Sequence, residues 1–461
     1  MKKTYIFLSM AALLVVGAIM TGCSNEDNIA NPQQPVNNDN LVTLTATVSL
    51  DGGAATRAIT PSSAQSGKGT KTFEAENSIA VIYEKTGGGI AKAVSAALTA
   101  ADLSSNGTKA TFTVTLTNPK SDSDIRFIYP ATMATGDLTN VTTTDADATI
   151  DYSGLFDSQN GDLETLGHNY DLAIYDGALS GTSFPASVTL TNPLAICEFT
   201  LKDLESANAN ITNATTLTIK EGTNTYTINK PANSNSLSTP IYVAMKPVAA
   251  TSMISFSTSY STSDFTKIYK KNVKGKALEA GKLYPISVSM YTLGSIICTD
   301  GSIYVTEDAA LADQKTPVAM ILYLGDDVNV TRYTNCINGL ALQLNEATDL
   351  NFSDAETYCN DYTYISYASE KWMLPTYDQW NGMITSAIGY YGNCTNFVNA
   401  TASTHYGKML QNYYWSSTYK DVTNNIVYYV DFDVISAPYS YSWKSGANNV
   451  HTIKTRGCFA F

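Results

Sequence analysis

Apolar and polar residues alternate in short runs between residue 41 and about residue 290, and turns rich in Gly, Asn and Ser separate the runs. The clearest run is LVTLTATVSL at residues 41–50, which has mostly threonines on one face. Its apolar face consists of Val42, Leu44, Ala46, Val48 and Leu50. The same period of two recurs in ATFTVTL, AICEFTL and TYTIN, at residues 110–116, 195–201 and 225–229. This period is typical of half-buried antiparallel strands, so it predicts β-sandwiches.

Two changes along the chain predict domain boundaries. SGTSFPAS at residues 180–187 interrupts the strand pattern, and beyond residue 294 the chain carries all four tryptophans and five of the seven cysteines. SDAE and TYDQ in this last part are capping boxes, which predict helices with Ser353 and Thr376 as N-caps. The predicted domains are therefore a sandwich at 41–182, a second sandwich at 183–293 and an α+β domain at 294–461.

The N-terminus has the features of an export signal. Two lysines precede an apolar run that ends at Met20 and is too short for a comfortable membrane span. Cys23 follows Thr21 and Gly22, which resembles the lipobox of bacterial lipoproteins. The resemblance implies a signal peptide at residues 1–22 and lipid on Cys23 as an outer-membrane anchor. The alternative is an ordinary signal peptide with a chance cysteine. Residues 23–40, rich in Asn, Gln and Pro, are predicted to be a flexible tether.

Several short segments that follow the lipobox in the sequence resemble the fimbrillin family, the type V pilins of gut and oral Gram-negative bacteria. They are ATRA at 55–58, FEAENSIAVIY at 73–83, FIYPA at 127–131, NPLAICEFTL at 192–201 and LEAGKLYPISVSM at 278–290. The resemblance covers roughly residues 23 to 292. It implies two tandem transthyretin-like β-sandwiches in a pilus subunit that is exported as a lipoprotein. Its partners would be other pilin subunits, joined by strand complementation.

The resemblance also implies a processing site. In the family, a protease cuts after an arginine in the loop that follows the first strand. Arg57 in GGAATRAIT fits that position, so cleavage before Ala58 would remove the strand at 41–50 and leave a groove for another subunit's strand. The alternatives are a solvated loop arginine without a role and a first strand that is kept.

The last domain resembles the C-type-lectin-like fold of bacterial surface proteins. The resemblance rests on SDAETYCNDY at 353–362, KWMLPTYDQW at 371–380, YYWSSTYKDVTNNIVYYVDFD at 413–433 and the terminal HTIKTRGCFAF. It implies a disulfide between Cys359 and Cys458. At most one further bridge can form among Cys298, Cys336 and Cys394, whereas Cys197 is predicted to be a buried strand residue.

The sequence lacks the acid-Pro-Asn/Asp and Trp-Asn-Asp triplets of calcium-dependent lectins, so calcium-mediated sugar binding is not implied. Asp326, Asp327, Asp431 and Asp433 could supply oxygen ligands to a cation, but acidic loop residues are more often simply solvated, so no metal site is predicted. Tyr439, Tyr441 and Trp443 alternate, so an extended segment would align three rings for stacking on a glycan. The alternative is that they pack on the domain's own core, which is the role predicted for Trp372, Trp380 and Trp415.

We predict no enzymatic activity, cofactor or metal. The three histidines are scattered, and neither a Gly-x-Ser-x-Gly elbow nor a phosphate-binding loop is present. A remote alternative is a formylglycine-generating type of domain, because TRGCFAF at 455–461 resembles the end of those enzymes. The net charge of −13 argues against nucleic acid and anionic lipid surfaces as partners.

The resulting hypothesis is a cell-surface tip adhesin of a pilus, assembled by donor-strand exchange, whose last domain binds a glycan or protein ligand. In stalk pilins the C-terminal segment donates a strand, whereas here that segment leads into a globular domain. The alternative is a monomeric glycan-binding outer-membrane lipoprotein that never joins a pilus.

Overall fold

The fold is mainly β, as predicted. The computed structural model describes residues 40–50, 72–139, 141–142, 145, 148–170, 172–261, 266–325, 338–362, 372–391, 413–424, 426–431, 442–447 and 453–461. Residues 41–461 belong to one compact unit, and the predicted signal peptide and tether lie outside the described residues except for Asn40. Among the helices of the described chain, none is long and apolar enough to cross a membrane.

The first sandwich contains two four-stranded sheets that face each other across one apolar core. Its strands are β1 (Leu41–Leu50), β2 (Ala80–Glu84), β3 (Ile90–Val94), β4 (Leu103–Ser104), β5 (Lys109–Thr117), β6 (Asp124–Tyr129), β7 (Ala173–Ala178) and β8 (Val188–Leu190). The sheet orders are β4-β5-β1-β8 and β3-β2-β6-β7. Because β8 pairs with β1, the first sandwich extends beyond the predicted boundary at residue 182.

Two short helices lie in the connection between β6 and β7. They are α1 (Ser153–Asp157) and α2 (Leu163–Asn169). Their apolar residues, such as Leu155 and Leu166, are buried in the core of the second sandwich rather than the first. The connection therefore joins the two sandwiches through a shared apolar core.

The second sandwich folds around β16, the strand that its two halves share. Its strands are β9 (Ala195–Asp203), β10 (Ala209–Asn210), β11 (Thr216–Glu221), β12 (Asn224–Asn229), β13 (Ile241–Met245), β14 (Met253–Ser261), β15 (Thr266–Lys274) and β16 (Leu283–Thr292). The order is β10-β9-β16-β15-β14-β11-β12, with β13 also on β9. The halves meet where the rings of Phe199 and Phe256 lie 5.1 Å apart. Cys197 is buried here, as predicted.

The third part is α+β, as predicted. Its elements are β17 (Ile296–Cys298), β18 (Ile303–Tyr304), α3 (Glu307–Ala312), β19 (Pro317–Leu324), β20 (Gly339–Gln343), α4 (Phe352–Asn360), α5 (Tyr377–Tyr391), β21 (Tyr413–Asp421), β22 (Ile426–Asp431), β23 (Ser442–Ala447) and β24 (Cys458–Ala460). The sheets are β18-β17-β19-β20-β24 and β21-β22-β23. Trp372, Trp380 and Trp415 are buried, so the prediction that they are core residues is confirmed.

One of the two predicted helix caps is confirmed. The backbone N–H of Gln379 donates to Thr376 Oγ1 at 3.2 Å, and the Gln379 side chain accepts from the Thr376 N–H at 2.7 Å. The cap predicted at Ser353 is wrong, because α4 begins earlier and the Asp354 N–H donates to Asn351 Oδ1 at 2.9 Å. Asparagine caps a helix as well as serine does, so the upstream residue takes the role.

Candidate functional site

The strand β1 lies between two partners of unequal length. It pairs antiparallel with β5 from Leu41 to Ser49, but it pairs with β8 only over residues 48–50, in parallel. Over residues 41–47, β5 is therefore the only strand paired with β1 in the described part of the chain. Removing β1 would leave β5 and β8 as the two walls of an open groove.

The apolar face of β1 becomes more buried along the strand. Val42 and Leu44 are half-buried, whereas Ala46 and Val48 lie in the core. The side chain of Leu50 lies outside the described residues. The predicted inward face of the strand is therefore present, and its strongest anchor is Val48, which is 0% exposed.

The inward face of β1 meets the inward face of β5 with matched side-chain sizes. Ala46 lies opposite Phe112, and Val48 lies opposite Ala110. A small residue thus faces a large one at one position, and the order is reversed at the next. All four side chains belong to the core that the two sheets enclose, so a replacement strand would have to supply the same alternation to fill it.

The outer face of β1 contributes exposed polar contacts. The hydroxyls of Thr43 and Thr115 lie 3.0 Å apart. The Ser49 hydroxyl lies 3.3 Å from the carbonyl oxygen of Val188 and 3.1 Å from Thr189 Oγ1. Hydrogen bonds that compete with water add little net stability, so the inner row carries most of the side-chain free energy that retains β1.

The predicted processing and anchoring residues Arg57, Ala58 and Cys23 lie outside the described residues. What the structure does establish is that the strand preceding them ends at Leu50, between β5 and β8. A chain break after Arg57 would separate this strand covalently from the rest of the sandwich.

The predicted cysteine pair occupies the expected elements but does not form a bond. Cys359 lies on α4 and Cys458 begins the last strand, β24. Both are buried, and no disulfide joins them in this structure. Burial, together with the neighbouring Cys458, raises the pKa of the Cys359 thiol. The two side chains are therefore neighbours, and the disulfide itself stays a prediction.

The predicted adhesive rings are mostly beyond what the structure describes. Tyr439 and Tyr441 lie outside the described residues, and the backbone of Trp443 lies in β23 opposite Val430. Asp326, Asp327 and Asp433 also lie outside, and only the backbone of Asp431 is described. The part of the chain that is described holds no group of three or more His, Cys, Asp or Glu side chains that could bind a metal ion.

A buried carboxylate stabilises the α+β domain. Glu346, whose side chain is 2% exposed, accepts a hydrogen bond from the Tyr414 hydroxyl at 2.8 Å. Lys454 Nζ lies 3.1 Å from one carboxylate oxygen, and the Arg456 guanidinium lies 3.3 Å from the other. Burial opposes ionisation, but these three partners outweigh it and lower the pKa of Glu346. The cluster joins β21 to the segment before β24.

A second charged cluster lies where the chain passes from the second sandwich to the α+β domain. The Ser295 hydroxyl donates to Glu205 Oε1 at 2.6 Å, and Lys267 Nζ lies 2.5 Å from Glu205 Oε2. Burial raises the pKa of Glu205. Farther along β15, the Asn272 N–H donates to Asn338 Oδ1 at 3.0 Å. The sequence does not reveal this joint, because its members are separated by long stretches of chain.

The chain is a mainly β protein whose first strand, β1, is paired on one side only over residues 41–47 of the described chain. The comparisons with solved structures give only weak likenesses. A candidate cell adhesion protein from Bacteroides fragilis matches with 11% identity and a TM-score of 0.32, over 56% of this chain and 95% of that chain. A fimbrial assembly protein from Parabacteroides distasonis matches with 12% identity and a TM-score of 0.29, over 53% and 91%. A candidate cell adhesion protein from Bacteroides ovatus matches with 14% identity and a TM-score of 0.30, over 54% and 95%.

No protein-family profile matches the chain, and no curated protein matches it. The TM-scores of these neighbours are too low to support a functional conclusion. The assignment to a class of protein therefore depends on the sequence resemblance and on the geometry around β1.

Proposed function

We propose that this chain is a pilus subunit in which β1 is removed and replaced by a strand from another subunit. The observation that carries the proposal is the position of β1, whose apolar row completes the core between β5 and β8. A sheet that loses such a strand exposes unpaired backbone groups and apolar pockets, and an incoming strand satisfies both.

The proposal includes the route to the cell surface. The chain is exported as an outer-membrane lipoprotein anchored through Cys23, and cleavage after Arg57 then removes the anchor together with β1. The resemblance to fimbrillins supports this order of events. In this proposal the chain assembles and binds, and it catalyses no reaction.

We place the subunit at the pilus tip, as an adhesin. Support comes from β24, which is paired with β20 inside the α+β domain and would have to leave that sheet to enter another subunit. A subunit built in this way accepts a strand more readily than it donates one. The α+β domain is then free to bind a glycan or protein ligand, for which Tyr439, Tyr441 and Trp443 are the candidates from the sequence.

The test is a comparison of wild-type and Arg57→Ala protein in the native cell. Wild-type subunits recovered from purified pili should begin at Ala58 by mass spectrometry. The Arg57→Ala protein should remain folded and membrane-bound, and it should be missing from pili. Full-length chains that carry Cys23 inside purified pili would refute processing at this site. Absence of the wild-type chain from pili would favour the monomeric glycan-binding lipoprotein instead.

A further inference from the structure

The connection between β6 and β7 carries a three-residue segment, Gln159–Gly161, that lies along the outer edge of β13. The Ala244 N–H donates to Gln159 Oε1 at 2.8 Å, and Gln159 Nε2 donates to the Ala244 carbonyl at 2.9 Å. The Tyr242 N–H donates to the Gly161 carbonyl at 2.9 Å. Alternate residues of β13 thus have hydrogen-bond partners of the kind that a neighbouring strand would supply.

The same segment also binds the edge strand of the other half of the sandwich. The Asn229 N–H, at the end of β12, donates to the Gln159 carbonyl at 3.0 Å. In the described chain β13 pairs only with β9, and β12 pairs only with β11. The segment therefore lies between the two edges and closes the side of the second sandwich with a piece of the first.

The segment is held in a single position. Gln159 is 2% exposed, and its Nε2 makes a further hydrogen bond to the Leu155 carbonyl at 2.7 Å, which orients the amide. Gly161 has a φ of +74°, and a Cβ there would lie 2.8 Å from Ile241 Cγ2. Only glycine fits at that approach. The amide oxygen and nitrogen of this buried side chain are both hydrogen-bonded, as buried polar groups in folded proteins generally are.

We propose that residues 159–161 are a built-in edge strand that closes the second sandwich to strand addition by a second copy of this chain. An open β13 edge would present unpaired N–H and C=O groups, which are a template for pairing with another chain. This inference rests on the proposed function, because it explains why a donor strand would enter the first sandwich and not the second.

The test uses the full exported chain and a matched pair of variants. Gln159→Leu keeps the side-chain size but removes both hydrogen bonds to Ala244, whereas Ser158→Ala changes the exposed neighbour. If the leucine variant does not fold, Gln159→Asn replaces it in the same experiment, because asparagine keeps the amide on a side chain that is one methylene shorter. The readouts are hydrogen exchange at single amides and sedimentation over a range of concentrations.

We expect Gln159→Leu to speed exchange of the Ala244 amide by roughly 10-fold or more, with amides in β9 unchanged, because the edge opens locally. We also expect concentration-dependent self-association of this variant and not of Ser158→Ala. Unchanged exchange at Ala244 would overturn the proposal, and so would faster exchange without self-association. Intact β1 in purified pili would refute the proposed function, but it would not change the exchange and sedimentation results for the Gln159 variants. Failure of the proposed function can therefore be distinguished from failure of the edge-strand proposal.

Discussion

The most direct check on the role of β1 is the substitution Val48→Ala. Val48 is fully buried, and it faces Ala110 across the strand pair. Replacing valine with alanine removes the equivalent of two methylene groups. At about 0.8 kcal/mol for each buried methylene, the loss is about 1.6 kcal/mol, and incomplete closure of the cavity adds to it.

This free energy can be measured on the isolated interaction. A chain that begins at Ala58 is mixed with a synthetic peptide of residues 41–50, and binding is followed by calorimetry. A loss of 1.6 kcal/mol corresponds to a Kd that is about 15-fold weaker for the Val48→Ala peptide. The matched control is Thr47→Ala, which changes an exposed residue on the outer face and should alter Kd by less than about twofold.

The intact chain provides a second measurement. Urea unfolding of full-length Val48→Ala should show a free energy of unfolding lower by about 2 kcal/mol, whereas Thr47→Ala should stay within about 0.5 kcal/mol of wild type. Equal effects of the two substitutions in both assays would refute the reasoning. Backbone pairing alone, and not the apolar row, would then retain β1.

Two further predictions concern the α+β domain. The pKa of Glu346 lies below its ordinary value of 4.5 because, although burial opposes ionisation, the Tyr414 hydroxyl and the Arg456 guanidinium outweigh it. The ionised Glu346 carboxylate therefore contributes its full stabilisation above pH 4.5, and this stabilisation is lost as the pH falls through the folded-state pKa. In urea unfolding, Glu346→Gln should lower the free energy of unfolding by about 3 kcal/mol at neutral pH and by much less in acid. Thr376→Ala should cost about 1 kcal/mol of unfolding free energy and Ser353→Ala less than about 0.5 kcal/mol, since only the first is an N-cap; equal losses in thermal or urea unfolding would contradict the assigned caps.

The sequence predicts β1 well because its signal is local. LVTLTATVSL alternates without interruption, and the observed strand Leu41–Leu50 has the same bounds as that run. Its inward face follows directly from the period of two, since alternate side chains of a strand point to opposite faces. The α+β character of the last part is predicted for a related reason, because the capping boxes indicate helices nearby, although only Thr376 marks the start of its helix.

The parts that sequence reasoning missed depend on contacts between distant residues. Gln159 is one of several polar residues between two short helices, and its partner Ala244 lies 85 positions away. Nothing within ten residues of either distinguishes that pair from an exposed glutamine and a strand alanine. The strand Val188–Leu190 is too short to show a period, so its place beside β1 depends on pairing that local pattern does not encode.

The two sandwiches manage their edges in different ways, and this difference bears on how assembly would be directed. β1 is bordered on its second side only at residues 48–50, and its first residues are exposed, so it can be released from one end. β13 is bordered by the segment 159–161, in which Gln159 and Gly161 are buried and which is continuous with the chain at both ends. A strand from another subunit can displace β1 residue by residue, starting from its exposed end. Displacing the segment 159–161 would require the whole connection between β6 and β7 to leave the core as a unit. If both proposals hold, the choice of acceptor site is set by how each edge is attached and not by a difference in apolar surface.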